Sequence, residues 1–292
     1  MIRLCLAALL CFSSTGRLVA QDAPAGAATG NGAPQSVLQA GELQLTLERA
    51  PEGIRVVSLF DATQGVPFLP ADPDPLFVLV LRTATGEGTE VRLDAASGWA
   101  DTEVVELQSP ARLRLHWRQP LDPQLAGIRV TAEATADAAA HLIRWQLQVV
   151  NDSTTMSVWR VEHPQLTVSD LGAAADVFVP RGPGEVHHAL WQREFQFRDT
   201  YPGAWMTMQF MAAYDPPRNT GIYVALHDPW GNTKDLAVES RPAAQTVTFL
   251  FDQPVENMGQ AGNDFESCEV VWRLLRGDWY DAAVWYRDWV RA

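Results

Sequence analysis

The stretch "HLIRWQLQVV", His141–Val150, decides the fold class. Ile143, Trp145, Leu147 and Val149 occupy every second position, with Arg144, Gln146 and Gln148 between them. Successive side chains of a strand point to opposite faces, so this spacing buries one face and wets the other. The same period appears on both sides of it. "GELQLTLERA" (41–50) alternates Leu43, Leu45 and Leu47 with polar residues, and "ARLRLHWRQ" (111–119) places Leu113, Leu115 and Trp117 inside with arginines outside. "GIRVTAEAT" (127–135), "TVTFLFD" (246–252) and "CEVVWRLL" (268–275) follow suit. "PLFVLVLR" (75–82) is apolar throughout, as suits a central strand covered on both faces.

Turn signals punctuate these runs: "APEG" (50–53), "DATQG" (61–65), "PADPDP" (70–75), "TGEG" (85–88) and "DPPRNTG" (215–221). No helical period appears before the last segment, and no repeat of fixed length emerges. Many short strands with Gly/Pro turns predict an all-β fold, one large antiparallel β-sandwich over residues 37–275.

Composition narrows the function classes. The chain has 292 residues, 47% hydrophobic and 20% charged, an ordinary globular balance. Its formal net charge is −13, from 22 basic and 35 acidic residues. A nucleic-acid partner needs a cationic footprint to displace counterions, so that class is set aside. Neutral sugars remain compatible with the acidity.

Residues 1–20 predict an export signal, with a basic start at Arg3, an apolar run Leu4–Phe12 and a small residue, Ala20, at the cleavage point. The run is too short to span a bilayer. Leu10 stands before Cys11 where a lipoprotein signal has a small residue, which argues against a lipid anchor. Cleavage would remove Arg3, Arg17 and no acid, taking the charge from −13 to −15. The expected location is periplasmic or secreted, with no membrane attachment after processing. Residues 21–36, rich in Ala, Gly and Pro, predict a flexible leader. Cys5 and Cys11 lie within the signal, leaving Cys268 alone, which allows neither an internal disulfide nor a metal cage. Its alternating context predicts a core position. The sequon at Asn151 is one in form only.

The ending, "GDWYDAAVWYRDWVRA" (277–292), changes period. Gly277 breaks the strand and Asp278 is placed to cap a helix. At helical spacing Trp279, Ala282, Ala283, Trp285, Tyr286, Trp289 and Val290 share one broad face, opposite Tyr280, Asp281, Arg287, Asp288 and Arg291. So wide an apolar face must be buried, either on the sandwich itself or on a following domain.

"YPGAWMTMQFMAAYD" (201–215), "GIYVALHDPWGNTKD" (221–235) and the ending "GDWYDAAVWYRDW" (277–289) together resemble the N-terminal region of secreted bacterial glycoside-hydrolase-like proteins. That family is of unknown function and distantly related to endo-α-N-acetylgalactosaminidases. The resemblance covers roughly residues 37–292. It implies a galactose-mutarotase-like β-supersandwich preceding a (β/α)₈ barrel that carries the catalytic carboxylates. It also implies that residues 276–292 are a linker helix, with Trp279, Trp285, Tyr286 and Trp289 at the junction with a barrel absent from this chain.

Glycoside hydrolysis needs two carboxyl groups across one sugar bond. No acidic pair here has a supporting motif, so no catalytic residue is assigned, and neither a metal nor a cofactor is expected. The binding candidates lie in two loops. "HDPWGNTKD" gathers His227, Asp228, Trp230 and Lys234, the chain's only lysine, and "DTYPGAW" adds Tyr201 and Trp205. Sugars stack their C–H faces on aromatic rings while polar groups grip the hydroxyls, so such loops suit a carbohydrate partner. They equally suit packed turns. Met206, Met208 and Phe210 are expected to alternate as a core strand. In "GEVHHAL" (184–190), Glu185 with His187 or His188 has the groups an aldose epimerase needs, though adjacent strand residues face opposite ways. Three functions follow: an accessory domain shaping a hydrolase's sugar cleft, a freestanding carbohydrate-binding module, or an aldose-epimerase-like enzyme.

Overall fold

The computed structural model describes residues 33–292 apart from 86, 87 and 89. The expected signal segment, residues 1–20, and the leader as far as residue 32 lie outside the described residues. The strands run β1 (Gln35–Ala40), β2 (Leu43–Ala50), β3 (Gly53–Asp61), β4 (Val66–Pro67), β5 (Val78–Thr83), β6 (Val91–Asp94) and β7 (Trp99–Gln108). Then come β8 (Ala111–Pro120), β9 (Ile128–Asp137), β10 (Leu142–Asn151), β11 (Met156–Ser169), β12 (Asp176–Val179), β13 (Glu185–His188) and β14 (Phe195–Tyr201). The last are β15 (Phe210–Asp215), β16 (Thr220–His227), β17 (Lys234–Arg241), β18 (Thr246–Pro254), β19 (Phe265–Glu266) and β20 (Glu269–Leu274), followed by helix α1 (Trp279–Arg291). The first strand begins at Gln35, two residues before the alternation predicted, because it pairs with β2 from there.

Three antiparallel sheets result. β1 to β4 form one in chain order; β14-β17-β18-β11-β5-β6 form the second; β13-β12-β15-β16-β20-β10-β9-β8-β7 form the third, with β19 added on β10. The predicted antiparallel β-sandwich is what the chain folds into.

Alternation explains the layering. In β10 the residues Ile143, Trp145, Leu147 and Val149 are fully buried in a core shared by all three sheets. Each such side chain contributes roughly 1.5–3 kcal/mol on leaving water. The apolar strand β5 lies one place from its sheet's edge, and both its faces are covered, with Leu79, Val80 and Leu81 all inaccessible.

Several strands of the large sheet are apolar on both faces. Met211, Ala213, Ile222, Val224, Val270 and Trp272 enter the common core. Their alternates Phe210, Ala212, Tyr214, Tyr223, Ala225 and Val271 form a second cluster on the outer face, together with Ala282 of α1. The expectation of Met206, Met208 and Phe210 as one alternating strand is corrected here. β15 starts only at Phe210; Met206 belongs to the inner core, and Met208 packs with the outer cluster.

Helix α1 covers that outer cluster. Asp278 caps it, its carboxylate accepting from the Tyr280 amide at 2.8 Å while Asp281 accepts from the Asp278 amide at 3.1 Å. Its entry is fixed from below. Arg276 donates two hydrogen bonds to the buried Asp61, at 2.6 and 2.9 Å, and also pairs with Glu42. Gly277 has φ +104, and a side chain there would collide with the Asp281 carboxylate.

Trp285 meets Tyr223 edge-on at 5.8 Å, Tyr286 lies 5.1 Å from Phe210, and Trp289 stacks on His227 at 4.5 Å. Trp285, Tyr286 and Trp289, expected at a domain junction, rest one face on the chain's own sheet, whose outer face is itself aromatic, and stay half-buried. The predicted apolar face is also narrower than its period suggested. Trp279 is 43% and Val290 60% exposed.

Candidate functional site

The loop after β16 is built around one buried carboxylate. Asp228 accepts hydrogen bonds from the amides of Trp230 and Asn232, at 2.9 and 2.6 Å, which folds residues 228–232 into a tight turn. Lys234, at the start of β17, donates from Nζ to Asp228 Oδ2 and to Gln209 Oε1, both at 2.7 Å. Gln209 in turn donates to the Asp228 carbonyl at 3.0 Å. All three side chains are buried.

Burial alone would raise the Asp228 carboxyl, but the Lys234 ammonium and the two amides outweigh it and hold the group below the usual carboxylate range. Burial pulls Lys234 down, with Asp228 opposing. The ammonium also lies 4.7 Å from the Tyr201 ring, its cross-strand partner in β14. Lys234 thus spends its donors inward. The hydroxyl-gripping part expected of it does not suit a side chain 1% exposed.

What the anchored turn presents outward is Trp230, 82% exposed. Beside it opens a cleft of about 600 Å³ lined by Tyr201, Gln209, Trp230, Tyr286 and Trp289, with Val290 at its edge. Two predicted residues, Tyr201 and Trp230, therefore meet in one cleft, on a floor set by Asp228. Tyr286 and Trp289 join them from α1. Burial pushes both phenols, Tyr201 and Tyr286, above their ordinary value, and their hydroxyls hydrogen-bond each other, with Gln209 also bonded to Tyr286.

The other predicted residues sit elsewhere. Trp205 is 62% exposed but stands outside this cleft, with Arg181 5.8 Å from its ring centre. His227 points to the far side of α1, where its ring stacks on Trp289 and its Nδ1 lies 3.4 Å from Glu269. On the opposite side of the loop a second cleft, about 480 Å³, contains Asp228, Asn232, Asp264, Glu266 and Cys268. Burial, reinforced by Asp228, pushes the Cys268 thiol up to about 11, leaving it protonated and unreactive at neutral pH. Cys268 is half-buried and packs against the core from its rim. His187 and His188 face opposite ways: His187 bonds Glu185 at 3.1 Å, while His188 is exposed and pairs with Asp176. Neither lines the clefts beside the loop.

Sequence reasoning missed Gln209, Tyr286 and Trp289 as cleft residues. Gln209 carried a readable signal, a lone amide in the mostly apolar "MTMQFMAA" run (206–213).

Comparison with known proteins shows the fold. No family model matches the sequence, and no curated protein matches it. Solved structures do. The β-sandwich shares its fold with parts of two glycosidases and with a putative aldose 1-epimerase. An α-galactosidase of glycoside hydrolase family 36 from Geobacillus stearothermophilus superposes with a TM-score of 0.56 at 13% identity, over 85% of this chain and 41% of that one. An α-N-acetylgalactosaminidase from Bifidobacterium bifidum, solved with GalNAc, gives 0.62 at 14% identity, over 88% and 38%. A putative aldose 1-epimerase from Klebsiella pneumoniae gives 0.53 at 11% identity, over 88% and 86%. The chain thus spans about two fifths of the length of the two glycosidases.

Proposed function

We propose that this chain is the sandwich domain of a secreted glycoside-hydrolase-like protein, an accessory to a (β/α)₈ barrel and without hydrolytic activity of its own. The observation that carries the carbohydrate part is the cleft under Trp230. A bare indole projects from a turn whose carboxylate, ammonium and amide are all satisfied inside the fold, next to two neutral phenols. Rigid aromatic faces with hydroxyl partners are the chemistry that holds a neutral sugar. The shared fold and the limited coverage of the two glycosidases support the accessory role. The exposed Trp279 and Val290 leave apolar surface for a neighbouring domain to cover.

A freestanding carbohydrate-binding module is the second reading, favoured by the exposure of Trp230. One experiment separates the two. The 292-residue chain and the longest product of its gene are assayed on a panel of aryl glycosides and on a glycan array. The accessory reading expects turnover only from the longer product; a gene product ending at the same residue, with array binding and no turnover, turns the assignment to the module. Robust hydrolysis by the 292-residue chain overturns both.

A further inference from the structure

On the far side of Trp289 from the aromatic cleft lies a cleft of about 410 Å³ between α1 and the outer face of β10, β16 and β20. Arg273, His227, Glu269, Trp285 and Asp288 line it, with Arg144 at its rim. Every other cation there is engaged: Arg144 donates to Glu269 at 3.1 Å and to Asp137 at 3.4 Å. Arg273 is not. Its guanidinium makes no hydrogen bond or ion pair among the described residues, and its Nε is buried without a partner. Its contact is with Trp285, whose ring centre lies 3.6 Å from the guanidinium carbon.

A half-buried guanidinium without a carboxylate is an unusual thing to keep. Burial opposes its charge and holds its pKa below the ordinary arginine value. The indole occupies the flat face of the guanidinium and leaves its in-plane donors for an acceptor. A planar carboxylate matches that fork with two parallel hydrogen bonds.

The rest of the lining chooses among carboxylates. Glu269, which accepts from Arg144, and Asp288, which accepts from Arg287, keep further lone pairs that hydroxyl groups satisfy and an aliphatic chain would strip of water. Their charge opposes a dianion about twice as strongly as a monoanion, which favours a carboxylate over phosphate or sulfate. We propose that this cleft binds a hexuronic acid, its carboxylate on Arg273 and its hydroxyls on Glu269 and Asp288. The inference stands apart from the accessory-domain reading, because it concerns the 292-residue chain alone and a different cleft from that of Trp230.

The test is calorimetric titration of the chain with galacturonate, glucuronate, the methyl ester of galacturonate, galactose and acetate. At least one free uronate is expected to bind, and its ester, galactose and acetate about tenfold more weakly or not at all, the scale of one charge-assisted hydrogen bond. R273Q should lose the preference for acid over ester, with its thermal midpoint confirming that it is folded. Should that variant unfold, the comparison of acid with ester on the unaltered chain decides alone. Absence of binding by either uronate, equal binding of the ester, or binding of acetate as tight as that of a uronate overturns the proposal. So does unchanged binding by a folded R273Q.

Discussion

The two faces of the large sheet make an instructive pair. Both are apolar where β15, β16 and β20 run, yet they are sealed differently. The inner face meets other sheets and closes completely: Trp272 is inaccessible, with Trp145 edge-on at 5.2 Å. The outer face meets one helix of 13 residues, too narrow to close it. Polar groups therefore survive among its rings, including His227 against Trp289 and Arg273 under Trp285. Two sheets can exclude water over their whole contact, whereas a helix laid on a sheet leaves grooves along its flanks. Both α1 clefts lie in those grooves.

The largest expected effect tests that contrast directly. Trp272→Ala empties a site the sheets cannot refill and should cost about 3–5 kcal/mol. Tyr286→Ala, on the half-covered outer face, should cost about 1–2 kcal/mol, since part of its ring is already wet. Urea midpoints for the two variants measure the difference. Equal losses would mean that the outer face is as tightly closed as the core.

The sealed interior should also show as a pH dependence. His163 is wholly buried, its Nδ1 lies 3.1 Å from the Leu76 carbonyl, and its Nε2 has no partner. Burial pulls its pKa from the ordinary 6.5 down to about 4. Between those values the unfolded chain takes up a proton that the folded chain refuses, so stability falls as pH falls. By pH 4 this one residue should remove roughly 3 kcal/mol of the stability present at pH 7. His163→Gln abolishes that share of the slope. If its urea midpoint and the parent's decline in parallel from pH 7 to 4, the imidazole is being protonated inside the fold.

How much of this was legible follows from the length scale of each feature. Alternation over five to ten residues exposed the strands, because a face buried on one side writes its period into the chain. Ile143 to Val149 and Leu43 to Leu47 sit where that period puts them. It fell silent where both faces are apolar: "FMAAYD" and "GIYVALH" carry no contrast to read, so the outer cluster went unseen and the partner of α1 stayed open between the sandwich and a following domain. The cleft was half legible. Trp230 and Tyr201 announced themselves as aromatics in turns, but the inward aim of Lys234 depends on Gln209, 25 residues earlier. No local pattern encodes that distance. Arg273 read as one more outward arginine on a strand, and only the helix above it makes its isolation visible.

The smallest expected effect is the most informative about function. Trp230 makes its contribution outside the fold: its backbone amide anchors the turn on Asp228, while its ring is 82% exposed. Trp230→Ala keeps that amide, so the change in unfolding free energy should stay within about 0.5 kcal/mol. Glycan binding should nevertheless disappear, since removing a stacking platform takes away the contact that aligns a sugar ring with the phenols of Tyr201 and Tyr286. Asp228→Ala makes the opposite case, because it strands the Lys234 ammonium in the interior and should destabilise the fold by about 3–5 kcal/mol. Array binding and a urea midpoint taken on both variants set surface against scaffold. A Trp230→Ala variant that keeps its midpoint and its binding would move the sugar site away from this turn. One that loses its midpoint would show the indole to be packing that holds the loop, and the exposed ring would then have no function to explain it.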